Sequence, residues 1–180
     1  MQSNLFRAGW YVIYTKPRHE KRVSDDLSKA EIPYFLPTAK KLRNWSGRRR
    51  YIEEPLFPSY IFTYLKDNVD YYNSLGIESV LYYVRSGKEV ACVKDAVINN
   101  IRLMVNEGSD LEVTGQLFRP GQQMVIQQGP LTGLACEVVE CNDQRKILIR
   151  VHLLQRNLLM SLPSESLLLP GYPSHSPSLL

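Results

Sequence analysis

Only three histidines occur in the 180 residues, His19, His152 and His175, and none has a metal-ligand side chain three or four positions on. A helix-borne metal pair needs that spacing to bring both donors to one face. The three cysteines, Cys92, Cys136 and Cys141, are an odd number at spacings that suit neither a disulfide framework nor zinc, which predicts reduced thiols in a cytosolic protein. No G-x-S-x-G, P-loop or G-x-G-x-x-G is present, so neither a nucleophile elbow nor a glycine-rich phosphate cradle is on offer. Cys136 reads as a small core residue of a strand rather than a nucleophile, free cysteine being among the most buried residue types. The expectation is a protein that is not an enzyme and uses no metal or cofactor.

Binding chemistry is better represented. In "KKLRNWSGRRR", Lys40, Lys41, Arg43, Arg48, Arg49 and Arg50 crowd a turn around Trp45. Six positive charges on one ribbon repel each other unless water or phosphates neutralise them, and an exposed indole can stack on a base. The competing reading is a solvated loop that aids solubility. A second cluster, "TKPRHEKR", puts Lys16, Arg18, Lys21 and Arg22 at the start of an expected helix. Helix amides there attract phosphate, although basic side chains at that end oppose the macrodipole. The third feature is "EEPLFPSYIFTYL": alternate positions give Pro58, Tyr60, Phe62 and Tyr64 on one face and Ser59, Ile61, Thr63 and Leu65 on the other. A sheet covered by helices on one side needs a single apolar face. The aromatic one is therefore either buried by the chain itself or kept for a partner, whether bases or protein.

These residues need a scaffold, and the periodicities supply one. "WYVIYT" reads as a strand, and Val23, Leu27 and Ala30 form a helical stripe from Pro17 to Glu31. Two strand arms flank "NWSG", the aromatic stretch is a further strand, and Asp67 caps a short helix ending near Gly76. "SVLYYVRSG" is a strand and "KDAVINNIRLMVNE" a third helix. The order β-α-β-β-α-β-α predicts an α+β domain, an antiparallel sheet with helices on one face. Polar "NEGSDLEVTGQLFRPG" reads as a linker, and beyond it short strands with turn signals suggest a small all-β barrel. The final "GYPSHSPSLL" reads as a disordered tail.

Charge follows the same division. Residues 1–106 hold 17 Lys/Arg against 11 Asp/Glu, whereas residues 107–180 hold 5 against 7, so a polyanion is expected to meet the first half. No run approaches the roughly 20 apolar residues of a membrane span, and no signal peptide is expected.

"WYVIYTKPRHEKRV", "EPLFPSYIFTYL", a V-x-x-x-V-R strand and "FRPGQQMVIQQGPLTGLACEVVE", in this order, resemble the NusG family of transcription elongation factors. The resemblance runs from Trp10 to Leu168, and is closest to the specialised RfaH and UpxY-type antiterminators. It implies an NGN domain over residues 1–106, a linker over 107–118, a KOW domain (an SH3-like β-barrel) over 119–169 and a tail over 170–180. It further implies that Phe57, Pro58, Tyr60 and Phe62 bind the clamp helices of RNA polymerase. Lys16 and Arg22 match residues that read non-template DNA. Arg18 joins them on charge alone, and Arg48, Arg49 and Arg50 are expected on phosphates. The KOW domain would take a ribosomal protein or a termination factor. The implied function is suppression of pausing and read-through of terminators in the bacterial cytoplasm, operon-specific, with no membrane partner. A housekeeping elongation factor and an RRM-like RNA-binding module are the alternatives. Two departures stand out: Asp70, Tyr71 and Tyr72 replace a His-Thr-Thr run, and Cys136 replaces a turn glycine. The leucine-rich stretch from His152 onward resembles the region that folds as a helical hairpin in RfaH, but "MVIQQ", "CEVVE" and "ILIRV" favour strands.

Overall fold

Aromatic and β-branched side chains favour the pleated backbone, and Gly9–Thr15 forms the central strand β1. A computed structural model describes residues 7–45, 48–107, 111–115, 119, 121–128, 131–141, 144–161 and 167–170. The chain divides into two units, Met1–Asn99 and Asn100–Leu180. After β1 the first unit holds helix α1 (Glu20–Lys29), β2 (Tyr34–Phe35), β3 (Thr38–Trp45), β4 (Arg48–Pro55), β5 (Tyr60–Leu65) and helix α2 (Asn68–Leu75). There follow β6 (Val80–Tyr83), β7 (Arg85–Ser86), β8 (Glu89–Val90), β9 (Cys92–Val93) and helix α3 (Asp95–Glu107), which the division between the units crosses. The main sheet has the order β2-β5-β1-β6 and is antiparallel, with β9 also pairing β1. Strands β3 and β4 pair only with each other, as do β7 and β8.

One face of the sheet, with Tyr11, Ile13, Ile61, Leu65 and Tyr83, packs with Val23, Leu27 and Ile32 into a buried core, against which Tyr71 and Leu75 of α2 also pack. Helix α2 starts where Asp67 predicts: its carboxylate accepts from the amides of Val69 (2.8 Å) and Asp70 (3.0 Å). Helix α1 is shorter than the stripe suggests. Arg18 has φ +64°, a left-handed conformation that no α-helix contains, so the helix begins at Glu20 rather than Pro17.

The second unit is a six-stranded antiparallel sheet of β10 (Glu112–Thr114), β11 (Gln122–Gln128), β12 (Ala135–Cys141), β13 (Gln144–Val151), β14 (Arg156–Ser161) and β15 (Leu167–Pro170). Its order is β10-β14-β13-β12-β11-β15. Among the described residues no pairing joins β10 to β15, so the expected closed barrel is here an open sheet. Residues 112–114, placed in the linker by composition, pair with β14 instead. Within the leucine-rich stretch, His152–Leu154 is a turn of 3-10 helix, but Arg156–Ser161 pairs with β13 and Leu167–Leu169 with β11, pairings that override leucine's helical preference there. Cys136 is buried in β12, and burial pushes its thiol up to about 11, which removes it as a nucleophile at neutral pH. The expected tail lies outside the described residues apart from Pro170, which belongs to β15. Among the described residues no helix is long and apolar enough to cross a membrane, and no cluster of potential metal ligands forms.

Candidate nucleic-acid and protein interface

The second face of the main sheet is aromatic, as the alternation predicts, but it is not uniformly open. Register places Trp10 opposite Tyr64, Val12 opposite Phe62 and Tyr14 opposite Tyr60 on β5, with Tyr82 of β6 also opposite Tyr14. Phe62 is wholly buried and Phe57 is 2% exposed; they meet edge to face at 5.9 Å, and Phe35 stacks on Phe62 at 6.1 Å. Phe57 and Phe62, expected on the open face, are therefore buried in this conformation. Pro58 is exposed and Tyr60 half-buried. What stays open is the end of the face near Thr15, where Tyr82, 53% exposed, stacks on Tyr14 at 5.0 Å and Tyr60 meets Tyr14 edge-on at 5.1 Å. Tyr14 and Tyr82 were not among the residues singled out from sequence. The available signal was their shared parity with Tyr60, which becomes visible once the strand register is known.

Directly beyond this cluster the chain turns through Lys16, Pro17 and Arg18, all exposed. Three non-glycine residues around this turn adopt positive φ: Arg18 (+64°), Ser59 (+68°) and Ser79 (+77°). Each left-handed residue costs roughly 1–2 kcal/mol, and the surrounding hydrogen bonds hold them there. The amide of Thr15 donates to the Ser59 carbonyl (2.8 Å) and that of Lys16 to the Ser79 carbonyl (2.9 Å). The Ser79 hydroxyl meets His19 Nδ1 at 2.9 Å, and the Ser59 amide donates to Oε1 of buried Glu20 at 2.7 Å. Glu20 thus ties the base of the basic turn to the segment that carries Pro58 and Tyr60. Glu20→Ala is expected to cost ~1–3 kcal/mol, because it leaves the buried Ser59 amide without that acceptor. Glu20→Gln keeps an acceptor oxygen and is expected to lose less. Urea midpoints of the two variants check the order.

Because α1 starts at Glu20, Lys16 and Arg18 precede the helix rather than lying in its first turn. Arg22 lies in the first turn and pairs with Glu78 at 2.5 Å. Both side chains are more than half exposed, so the pair is worth little and yields readily to a phosphate. On the β3–β4 ribbon, Lys40, Lys41, Arg49 and Arg50 are exposed. The side chains of Arg43, Trp45 and Arg48, and residues 46–47, lie outside what is described. Register sets Arg43 opposite Arg50 and Asn44 opposite Arg49. Leu42 and Tyr51 face each other at 47% and 74% exposure, so Tyr51 offers a stacking ring near the arginines that sequence reading assigned to Trp45. Hydrogen bonds thus hold the segments that carry Lys16, Arg18, Arg22, Pro58 and Tyr60 together at one end of β1, while Arg49 and Arg50 lie on the β3–β4 ribbon.

The family model described as "Transcription termination factor nusG" matches residues 8–102, which takes in the whole main sheet and helices α1 and α2. Among solved structures, the chain is similar to one described as "Domain interaction in Thermotoga maritima NusG", with 20% identity and a TM-score of 0.46, over 87% of this chain and 93% of that one. It is also similar to the MjSpt4:Spt5 complex in conformations A and B, at 12% identity and a TM-score of 0.30 in both. Those matches cover 89% and 91% of this chain and 92% and 98% of the other.

Proposed function

The chain belongs to the NusG family of transcription factors, not to a family of enzymes, and from that premise we propose that it acts on elongating RNA polymerase as an antitermination factor. The first unit acts as the NGN domain. Its partner is the polymerase clamp helices, met through Pro58, Tyr60, Tyr14 and Tyr82. Lys16, Arg18 and Arg22 lie beside them and take exposed non-template DNA, while Arg48, Arg49 and Arg50 hold phosphates. Binding in this way disfavours pausing and permits read-through, on particular operons in the manner of the RfaH and UpxY-type branch. The second unit serves as the KOW-type module for a ribosomal protein or a termination factor, and the setting is the bacterial cytoplasm.

The single observation that supports this reading is the continuity of the open tyrosine cluster with the basic turn. Tyr14 and Lys16 are two residues apart, and Ser59 bonds to both Thr15 and Glu20. A protein surface and a phosphate surface that share one braced turn suit a factor that touches polymerase and DNA together. The test is Tyr60→Ala/Tyr82→Ala on immobilised clamp helices. Loss of ~2–4 kcal/mol of binding is expected, as for aromatic anchors at an interface, together with loss of read-through in a reconstituted terminator assay. Full retention on the clamp helices with lost binding to single-stranded RNA would instead support the RNA-binding module.

A further inference from the structure

The opposite end of β1 borders a recess of about 650 Å³, and no part of the function proposed above uses it. Tyr11, the third residue of β1, lines it, so about 17 Å of strand separates it from Lys16. Its volume lies within the range of small-molecule and cofactor sites. Three cations line it, Arg7, Arg85 and Lys88, against one carboxylate, Glu89. Arg85 donates to the Lys88 carbonyl at 3.3 Å and so helps close the β7–β8 turn that forms one wall.

The other wall is aromatic. Tyr71 is fixed by stacking on Tyr83 at 4.9 Å, and it holds Tyr72 edge-on at 5.3 Å. Tyr72 is 70% exposed. A braced, exposed ring beside an excess of positive charge suits a ligand with both a π-face and an anionic group. An acidic peptide would answer the cations and leave the ring in water; an apolar ligand would strip water from the cations without replacing it. Nucleotides carry both groups, and base–aromatic stacking tolerates any base.

We infer that this recess binds one nucleotide unit, with its base on Tyr72 and its phosphate among Arg7, Arg85 and Lys88. The source is either a unit of a single strand or a free nucleotide, since both present the same chemistry. The inference stands apart from the polymerase reading because the two share no residue.

Cys92 also lines the recess and is an exposed free thiol, so it reports occupancy. The experiment measures alkylation of Cys92 by iodoacetamide in the full chain, read by mass spectrometry of its peptide. The probes are a short oligothymidylate, thymidine monophosphate and inorganic phosphate. Nucleotide probes are expected to slow Cys92 alkylation, with about tenfold weaker protection in Tyr72→Ala, as loss of one stacked base predicts. Arg85→Ala/Lys88→Ala is expected to weaken protection as well, while Lys29→Ala, an exposed cation in the last turn of α1, leaves it unchanged. Protection by the oligonucleotide alone assigns a strand, and protection by the monophosphate alone assigns a free nucleotide. No protection by either overturns the inference. So does equal protection by inorganic phosphate, indifference to Tyr72→Ala, or loss of protection in Lys29→Ala. Because Tyr72 is exposed, its truncation leaves the fold in place and keeps each outcome readable.

Discussion

Phe62→Ala is expected to cost about 3–5 kcal/mol of folding stability, the range for emptying a buried phenylalanine site. Its ring has no exposed surface, stacks on Phe35 and meets Phe57 edge-on, and its backbone sits in β5 between Val12 of β1 and Phe35 of β2. Nothing around such a ring can collapse without moving the central strand. For a domain of this size each kcal/mol lowers the melting temperature by roughly 4–8 °C, so calorimetry would show a large fall. Tyr82→Ala, on the open end of the same face, is expected to melt nearly as the unmodified chain does. On sequence alone Phe62 belongs to the partner surface and its loss should be read in binding; burial transfers the effect to stability. An unchanged melting temperature for Phe62→Ala would return that ring to the surface.

Glu137→Ala is the second large effect, and it falls on the other unit. Glu137 on β12 receives two hydrogen bonds from Arg150 on β13, Nε to Oε1 at 2.7 Å and the second guanidinium nitrogen to Oε2 at 2.9 Å. The amide of Gly121 adds a third at 3.0 Å. The pair is mostly buried, with the arginine side chain 19% and the glutamate 12% exposed. Removing one partner leaves a charge in a poorly solvated place, which is expected to cost about 3 kcal/mol. Replacing both at once, as Glu137→Met/Arg150→Met, should cost less than either single change, because no charge is then stranded. Burial by itself would raise the Glu137 carboxyl, but the Arg150 and Gly121 hydrogen bonds and the guanidinium charge outweigh it and hold it below its usual 4.5. The folded form therefore binds its proton less readily than the unfolded form. The stabilisation is complete above the usual value and is lost as pH falls through the lowered one. Denaturant titrations below about pH 5 should show that slope shrink in Glu137→Gln.

What could be read from sequence was local. The Asp67 cap, the aromatic alternation of 58–64 and the strand arms flanking residues 46–47 follow from backbone chemistry within a few residues, and the structure repeats them. What could not be read depends on distant neighbours. The alternation gives Phe62 and Tyr60 one face, and the family resemblance adds Phe57, but neither says which of these rings another part of the chain covers; Phe57 and Phe62 are buried. The start of α1 departs from the expectation because Arg18 takes a conformation that no local preference favours; hydrogen bonds from its neighbours Thr15 and Lys16 to the carbonyls of Ser59 and Ser79, some 40 and 60 residues on, hold the turn. Glu112–Thr114 look like linker by composition and become a strand only because β14 presents an unpaired edge. Tyr14 and Tyr82 were invisible as a pair until register set them side by side.

Among the described residues β3 and β4 pair as strands with each other alone, and at their base the Leu56 amide reaches the Pro37 carbonyl at 2.8 Å. Nothing in the main sheet depends on how far it extends. Side chains alternate along both arms, so adding or removing matched pairs of residues keeps every face as it was, whereas a single insertion in one arm inverts all that follows. The ribbon can thus lengthen or shorten by natural selection in steps of about 7 Å per pair while its root stays fixed. The reach of its charges can therefore change without a change in the strands that anchor it.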